Sequence, residues 1–340
     1  MSSIDTIGLQ NYEPIITKKE RNSFKLFLKV VLCAIIAAAV LADILYLVMS
    51  RGHANLRERA ATAEPVLQQT EAVSNEEAVI WKDGWVKYNG GIYEYKDSTM
   101  NFLIMGMDTG LDGEIRAAEP KGKKADFLAL LVLDADDESI KLIPINTNAM
   151  TTDSNAENCE EQVKAVSDLL HQLPIHGYAA LSLDGIVPLN DAVGGIDVVT
   201  PIDFATDDVS AKEGEELHLE GEDARMFLCS SADALGGTQG RLSRQEVYLR
   251  ALVQGLYNKI QADSLSFISM YNEIGQYVTT DIGTNEIAYL ATQASKYAYD
   301  DKNVLEIEGQ TVEGESSEEF YVDDDALKGL IIDTFYKKVR

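Results

Sequence analysis

The clearest hydrophobic pattern in the chain predicts a pair of buried strands near its middle. Residues 127–133 form an almost unbroken apolar run, FLALLVL, and residues 140–145 form a second run, IKLIPI. The polar, turn-prone segment 134–139 separates them. Short apolar runs bounded by turn residues are typical of strands buried on both faces. The two runs therefore predict a hairpin in the middle of a sheet that helices cover on both sides.

The remaining pattern alternates between the two kinds of element. Apolar runs predict strands over 101–105, 178–183, 196–199 and 304–308. Helical spacing predicts helices over 156–172, 184–192, 223–228, 241–260, 264–278, 285–297 and 324–336, and a polar loop over 230–240. Alternating strands and helices are typical of an α/β fold. We expect a three-layer α-β-α sandwich with a central mixed sheet over residues 99–340.

The N-terminal third predicts a membrane anchor. Residues 30–49 are apolar except for Asp43, and such a stretch is long enough to cross a bilayer. Five basic residues in the preceding 1–29 segment favour a cytoplasmic tail. We therefore expect a single-pass cell-membrane protein, with an extracytoplasmic stalk over 50–98 and an extracytoplasmic C-terminal domain.

Charge excludes one class of partner. The formal net charge is −27; residues 1–29 carry +2 and the span carries −1, so residues 50–340 carry −28. Proteins bind nucleic acid by neutralising phosphates with Lys and Arg, and we therefore expect no nucleic-acid partner. No Cys-x-x-Cys motif occurs and the four histidines are scattered, which argues against a zinc site.

Six short motifs in order resemble those of the LytR-CpsA-Psr family of bacterial cell-envelope proteins. They are FLIMGMD (102–108), Asp126 before the central strand, Ile143-Pro144, VGGIDV (193–198), LxGExA (219–224) and GRxxRQ (240–245). The resemblance implies a membrane-anchored transferase. Members of that family move a glycopolymer from a polyprenyl-pyrophosphate carrier to peptidoglycan, with Mg²⁺.

The resemblance also implies the roles of particular residues. Arginines of the family grip the pyrophosphate, and aspartates serve the metal and the general base. These roles fall on the catalytic residues Asp126 and Arg241, the pyrophosphate-binding residues Lys124, Arg241, Arg244 and Gln245, and the metal ligands Asp108 and Asp126. It further implies an apolar groove beside the central hairpin that accepts the polyprenyl chain.

Several positions depart from the family pattern. Where the family has Ile-Pro-Arg-Asp-Thr, this chain has Ile145 and Asn146 in place of the arginine and the aspartate. An Arg-x-Arg pair falls on Cys229 and Ser231. Losing one fixed donor to a developing charge costs about 10²–10³ in rate. The substitutions therefore favour a degenerate site.

Three functions follow from these residues. The first is a weakly active or inactive family member that binds a polyprenyl-linked lipid or an envelope protein and modulates active relatives. The second is an active transferase that uses Lys124, Arg241 and a metal at Asp108 and Asp126. The third is a surface interaction module that keeps only the fold.

The two cysteines beyond the predicted span allow a disulfide. If Cys159 and Cys229 flank one cleft, their Cα atoms would have to lie roughly 4.4–6.8 Å apart. The alternative is two unrelated thiols, since unbridged cysteine is among the most often buried residue types.

Overall fold

The structure is a computed structural model that describes residues 42–43, 45–59, 67, 82–107, 125–149, 158–230, 235–313 and 318–340. The chain divides into two compact units, Met1–Val48 and Met49–Arg340. In the first unit, residues 42–43 and 45–48 are helical. Within the described residues, no helix is both long and apolar enough for a membrane crossing. The predicted tail and most of the predicted 30–49 span lie outside the described residues.

A five-stranded mixed sheet forms the centre of the second unit, and the predicted hairpin is part of it. Its strands are β3 (Thr99–Met107), β4 (Phe127–Asp134), β5 (Ser139–Ile145), β6 (Gly177–Ser182) and β11 (Val278–Thr280). Their spatial order is β11-β6-β3-β4-β5. Strands β4 and β5 pair antiparallel, with Leu128 opposite Ile145, and β6 runs parallel to β3. The starts of β4 and the ends of β3, β5 and β6 therefore lie at one end of the sheet.

Eight helices accompany the sheet in the described part of this unit. They are α1 (residues 49–59), α2 (Cys159–Leu169), α3 (Ile186–Val193), α4 (Gly221–Cys229), α5 (Gly237–Ala262), α6 (Ser264–Ile274), α7 (Thr284–Ala294) and α8 (Asp324–Phe335). Residues of α2 and α8 pack on one face of the sheet, and residues of α5 and α7 pack on the other. This arrangement confirms the predicted central mixed sheet between two helical layers.

Successive side chains of β4 pack alternately against the helical layers on the two faces of the sheet. In β4, Leu128, Leu130 and Val132 pack against α2 and α8, whereas Ala129 and Leu133 pack on the α5 and α7 side. All five are almost completely buried. Because successive side chains of a strand point to opposite faces, an uninterrupted apolar run is required when both faces are covered.

Shorter strands lie around the central sheet. They are β1 (Trp85–Tyr88), β2 (Gly91–Tyr95), β7 (Ile196–Val199), β8 (Phe204–Ala205), β9 (Ser210–Ala211), β10 (Glu216–Leu219), β12 (Gly309–Glu313), β13 (Glu318–Val322) and β14 (Tyr336–Lys338). The strand predicted over 304–308 is wrong, since Val304 makes only an isolated bridge to Leu142 and the strand begins at Gly309. Helix α5 begins at Gly237, inside the predicted polar loop.

The described parts of the predicted stalk pack with the α/β domain. Leu56 of α1 is completely buried in the cluster formed with α5 and α7. Arg59 pairs with Asp281 at 2.6 Å, and the ring of His53 stacks on Tyr289 with centroids 5.0 Å apart. Strand β2 pairs with both β1 and the C-terminal β14. The boundary at residue 99 stays a prediction.

His176 ties the start of β6 to β3 and gives the fold a pH dependence. The backbone N–H of Asn101 donates to Nδ1 of His176 at 3.0 Å, and the ring is buried. Burial lowers the pKa of His176 to about 4, below the usual value of about 6.5. Since the unfolded chain binds the proton more tightly, stability is full above pH 6.5 and falls as the pH drops towards 4.

We expect His176→Asn to remove this acid sensitivity, because the asparagine Oδ1 can still accept the Asn101 N–H but does not titrate. Between pH 6.5 and 4 the wild type should lose about 3 kcal/mol more of unfolding free energy than the variant does. Urea denaturation at several pH values measures the difference. Parallel pH profiles for the two proteins would contradict the assignment.

Candidate functional site

An apolar cavity of about 490 Å³ lies between the α5 and α7 face of the sheet and the helices that cover it. The sheet contributes residues such as Phe102, Leu131 and Leu181, and helices α3, α5, α6 and α7 contribute the opposite wall. Its described apolar lining includes Ile104, Phe127, Leu133, Ala179, Ile186, Leu189, Leu249, Leu252, Val253, Leu256, Ile260, Met270, Ile274, Ile282, Ile287, Leu290 and Ala291. This cavity corresponds to the groove predicted beside the central hairpin.

One end of the cavity is polar, and we call it the mouth: Asp126, Cys229, Arg241 and Gln245. Asp126 directly precedes β4, and its backbone N–H donates to the Gly106 carbonyl at 2.9 Å. Arg241 and Gln245 lie one turn apart near the start of α5. Nη1 of Arg241 lies 3.6 Å from Oδ1 of Asp126. The structure therefore brings Asp126, which precedes β4, together with Cys229 of α4 and with Arg241 and Gln245 of α5.

The mouth contains polar atoms that the protein itself does not satisfy. Nε of Arg241 and Oε1 of Gln245 are buried without a hydrogen-bond partner within the described structure. The amide nitrogen of Gln245 donates to the Leu228 carbonyl at 3.2 Å, and the side chain is almost fully buried. A buried donor or acceptor without a partner costs about 1–3 kcal/mol. The free N–H of Arg241 is suited to an anionic group that enters the mouth, whereas Oε1 of Gln245 requires a donor such as a hydroxyl.

The structure corrects the prediction for Arg244. Its side chain is completely buried and does not line the cavity within the described residues. The guanidinium donates to the carbonyls of Phe227 and Leu235, each at 2.7 Å, and to the carbonyl of Ser230. These contacts fasten the end of α4 to the start of α5. Arg244 thus holds the two helices that supply Cys229, Arg241 and Gln245 to the mouth.

Gly240 allows this arrangement. A Cβ at Gly240 would collide with the carbonyl oxygen of Leu235, one of the acceptors of Arg244. Glycine is the residue type that allows two backbone segments to approach so closely. The glycine of the GRxxRQ motif therefore serves the local packing next to the mouth.

Two of the substituted positions do not line the cavity. Ile145 is buried with α2 and α8 on the opposite face of the sheet. Asn146 accepts the backbone N–H of Asn148 at 2.9 Å and begins the turn Thr147–Ala149. Only Cys229 of the described substituted positions lies at the mouth. Ser231, Lys124 and Asp108 lie outside the described residues.

The mouth alone does not complete a magnesium site. Mg²⁺ prefers six oxygen ligands in octahedral geometry, whereas the mouth offers the side-chain oxygens of Asp126 and Gln245 within the described residues. Across the described ranges, no cluster of three or more carboxylate, histidine or cysteine side chains is suited to a metal. The shared metal site of Asp126 and Asp108 stays a prediction.

Of the two alternatives for the cysteines, the structure has the unbridged pair. Cys159 and Cys229 are both thiols. Cys159 is buried in the cluster on the α2 and α8 face, whereas Cys229 packs at the end of α4 and lines the mouth. The helix that contains Cys159 begins at the cap Asn158, and it lies across the sheet from the cavity.

The family assignment follows from a match over most of the chain. The LytR_cpsA_psr family model matches residues 59–331, and the chain belongs to this family. The chain is 27% identical over 215 residues to a Bacillus subtilis protein named polyisoprenyl-teichoic acid–peptidoglycan teichoic acid transferase TagV. It is 25% identical over 202 residues to the Bacillus anthracis transferase TagU. The alignments cover 57% and 56% of this chain but only 51% and 61% of those relatives.

Solved structures share the fold. The crystal structure of Bacillus subtilis TagV superposes with a TM-score of 0.52 at 25% sequence identity, covering 69% of this chain and 95% of TagV. A Streptococcus agalactiae protein superposes with a TM-score of 0.55 at 18% identity, over 68% of this chain and 85% of that one. The second likeness shows the fold alone.

The short motifs predict three of the four mouth residues, Asp126, Arg241 and Gln245, but little of the cavity wall. The walls contributed by α6 and α7, such as Met270 and Leu290, carry no motif. Their helical apolar spacing fits any core helix equally well, so only the three-dimensional structure separates a cavity wall from a packed core.

Proposed function

We propose that this chain is an envelope-biogenesis protein that binds a polyprenyl-phosphate or polyprenyl-pyrophosphate carrier of a glycopolymer. The cavity beneath the sheet holds the hydrocarbon chain, and the mouth holds the phosphate. The chain acts outside the cell membrane, held there by the 30–49 segment, and it modulates active relatives. The single observation that carries this proposal is an apolar cavity that ends at Arg241 and Gln245.

The cavity supports a hydrocarbon ligand for energetic reasons. Its volume of about 490 Å³ falls in the range of roughly 300–1,000 Å³ that is usual for ligand pockets. Burying hydrocarbon gains about 0.8 kcal/mol per methylene, so several isoprene units supply ample affinity. A protein that kept only the fold would be expected to fill this volume, since interiors are close-packed. The cavity therefore favours lipid binding over a pure interaction module.

The mouth supports binding more strongly than it supports transfer. Arg241 supplies one cation for a phosphate group, and charge-assisted hydrogen bonds are among the strongest available to proteins. Cys229 adds no charge where the family pattern has an arginine, and Arg244 is occupied by backbone carbonyls. Among the described residues of the mouth, Arg241 is the one cation, and a single cation binds a pyrophosphate with a developing charge only weakly.

The relatives support the identity of the ligand class. Their printed names describe polyisoprenyl-teichoic acid as donor and peptidoglycan as acceptor. We transfer to this chain the class of a polyprenyl-linked polymer, with peptidoglycan or other envelope proteins as partners.

An active transferase is the second candidate, and one observation favours it. The carboxylate of Asp126 lies beside Arg241 at the mouth and is partly exposed. A general base must reach the proton of an acceptor hydroxyl, and Asp126 has both the position and the chemistry. In that reading Mg²⁺, Lys124 and Asp108 would supply the charge that the mouth otherwise lacks.

We expect Arg241→Gln to weaken the binding of a polyprenyl phosphate by about tenfold or more, because a charge-assisted contact to the phosphate is lost. Binding of the uncharged polyprenol should change little, since the cavity is intact. Arg250→Gln is a matched control on the same helix, because Arg250 pairs with Glu246 and Glu306 away from the cavity. Equal losses for the phosphate and the alcohol would show that Arg241 supports the wall rather than the headgroup.

A further inference from the structure

Helix α1 (residues 49–59) packs closely on helix α7, which forms one wall of the apolar cavity. A Cβ at Gly52 would lie 2.4 Å from the carbonyl oxygen of Asn285, so the two helices approach each other there without room for a side chain. The ring of His53 stacks on Tyr289, with centroids 5.0 Å apart and an angle of 18° between the ring planes. Asn285 and Tyr289 lie one turn apart and form the side of α7 that faces α1.

The opposite side of α7 faces the cavity. Ile287, Leu290, Ala291 and Ala294 line it, and their spacing of three and four residues places them on one face of the helix. Helix α7 therefore lies between α1 and the cavity. A movement of α1 away from α7 would remove the support behind this wall.

Arg59 fixes the end of α1 to the start of α7. Its Nη1 and Nη2 lie 2.6 Å from the carboxylate and from the backbone carbonyl of Asp281. Nη2 also lies 3.5 Å from the buried Glu286, whose carboxylate accepts the N–H of Gly283, the cap residue of α7, at 2.6 Å. The other carboxylate oxygen of Asp281 accepts the backbone N–H of Tyr178 at 2.8 Å. One side chain thus joins α1 to both α7 and β6.

These contacts lie at the end of the cavity away from the mouth, which we call the deep end. Leu56 of α1 is completely buried in one apolar cluster with Leu133, near the end of β4, and with Tyr257 of α5. Leu133 and Tyr257 line the cavity, whereas Asp126 of the mouth precedes the start of β4. Tyr257 is 16 residues beyond Arg241 on α5, which is about 24 Å of helix.

We propose that α1 determines the length of hydrocarbon chain that the cavity binds, with Gly52, Leu56 and Arg59 as positioning residues for the deep end. This inference rests on the proposed function, because it concerns the hydrocarbon chain of the same ligand. A short prenyl chain with its phosphate at the mouth does not reach the deep end, so its binding does not depend on α1. A long chain is buried there only while α1 supports α7.

The family assignment does not imply this role. The family model matches residues 59–331, and α1 precedes that range except for Arg59. The role follows instead from the contacts of α1 with α7 and from the position of Leu56 at the deep end.

The test compares the binding of farnesyl phosphate, with three isoprene units, and hexaprenyl phosphate, with six. Native mass spectrometry of the full chain in detergent measures both affinities. Gly52→Leu places a side chain in the contact with Asn285 and also supplies a better helix former. We expect it to weaken the binding of hexaprenyl phosphate about tenfold, because a few methylene groups lose their burial. Binding of farnesyl phosphate should stay within about twofold.

Ala54→Leu is the matched control, because Ala54 is exposed on the same helix, and it should leave both affinities unchanged. Arg59→Gln removes the ion pairs with Asp281 and Glu286 without adding bulk. It should also weaken hexaprenyl phosphate more than farnesyl phosphate, and it decides the question if Gly52→Leu does not fold.

Equal losses for the two lipids in these variants would overturn the inference, because they would show that α1 only stabilises the domain. Unchanged affinities for both lipids would overturn it as well. If the wild type binds both lipids but the variants do not change their ratio, the proposed function stands and α1 has no part in it. If the wild type binds neither lipid, the proposed function itself fails, and the inference fails with it.

Discussion

Replacing Arg244 with alanine should lower the free energy of unfolding by about 3–5 kcal/mol, because it removes the donors of three backbone carbonyls. The guanidinium also lies over the rings of Phe204 and Phe227, at 5.8 and 5.9 Å from their centroids. Arg244→Lys should be intermediate, since an ammonium does not match the fork of three acceptors. Chemical denaturation measures all three proteins.

The control for this prediction is Arg250→Ala, which breaks exposed pairs and should cost less than about 1 kcal/mol. Because Arg244 joins α4 to α5, its loss should also expose the thiol of Cys229 at the mouth. Alkylation of Cys229 should therefore be faster in Arg244→Ala than in Arg250→Ala. Arg244→Ala with unchanged stability but weakened lipid binding would contradict the structural role and restore the predicted contact with phosphate.

Replacing Asp134 with alanine should cost a similar amount, about 3–5 kcal/mol. Asp134 is completely buried at the end of β4, and both Lys96 and Lys141 donate to it at 2.9 Å. Burial alone would raise the pKa of Asp134, but the hydrogen bonds and charges of Lys141 and Lys96 outweigh it and hold the pKa well below its usual range. Removing the carboxylate leaves the positive charges of Lys96 and Lys141 only partly neutralised.

Asp136→Ala is the matched control, since Asp136 lies two residues away, is exposed and pairs with neither lysine. Its effect should stay within about 0.5 kcal/mol. Thermal or urea unfolding of the two variants at neutral pH gives the comparison. Equal stabilities for Asp134→Ala and Asp136→Ala would show that the buried cluster does not support the hairpin.

The central strands could be predicted because both of their faces are buried. Residues 127–133 leave no polar position, so the pattern permits a buried strand and little else. The strand predicted over 304–308 was wrong. Glu306 and Glu308 alternate with apolar residues there, and this pattern also suits an extended segment at the edge of a sheet. That segment pairs only at Val304, and the true hairpin beyond it contains Gly309 and several glutamates, which strands usually avoid.

A sequence motif predicts which residues lie near the site, but it does not predict which way each side chain points. Asp126 and Arg241 reach the mouth, but Arg244, three residues further along α5, points to the carbonyls at the end of α4. Ile145 likewise falls on the far face, because successive strand side chains alternate. The sequence shows which residues are near a site. The packing of the elements decides which of them face it.

The central claim is that the cavity beneath the sheet holds a polyprenyl chain whose phosphate lies at Arg241. Native mass spectrometry of the full chain with a polyprenyl phosphate tests it directly. The account predicts a saturable complex of one polyprenyl phosphate per chain. Displacing half of this lipid should require a higher concentration of polyprenol than of a second, mass-distinguishable polyprenyl phosphate. Absence of an adduct, or several adducts that rise without saturation, would contradict it.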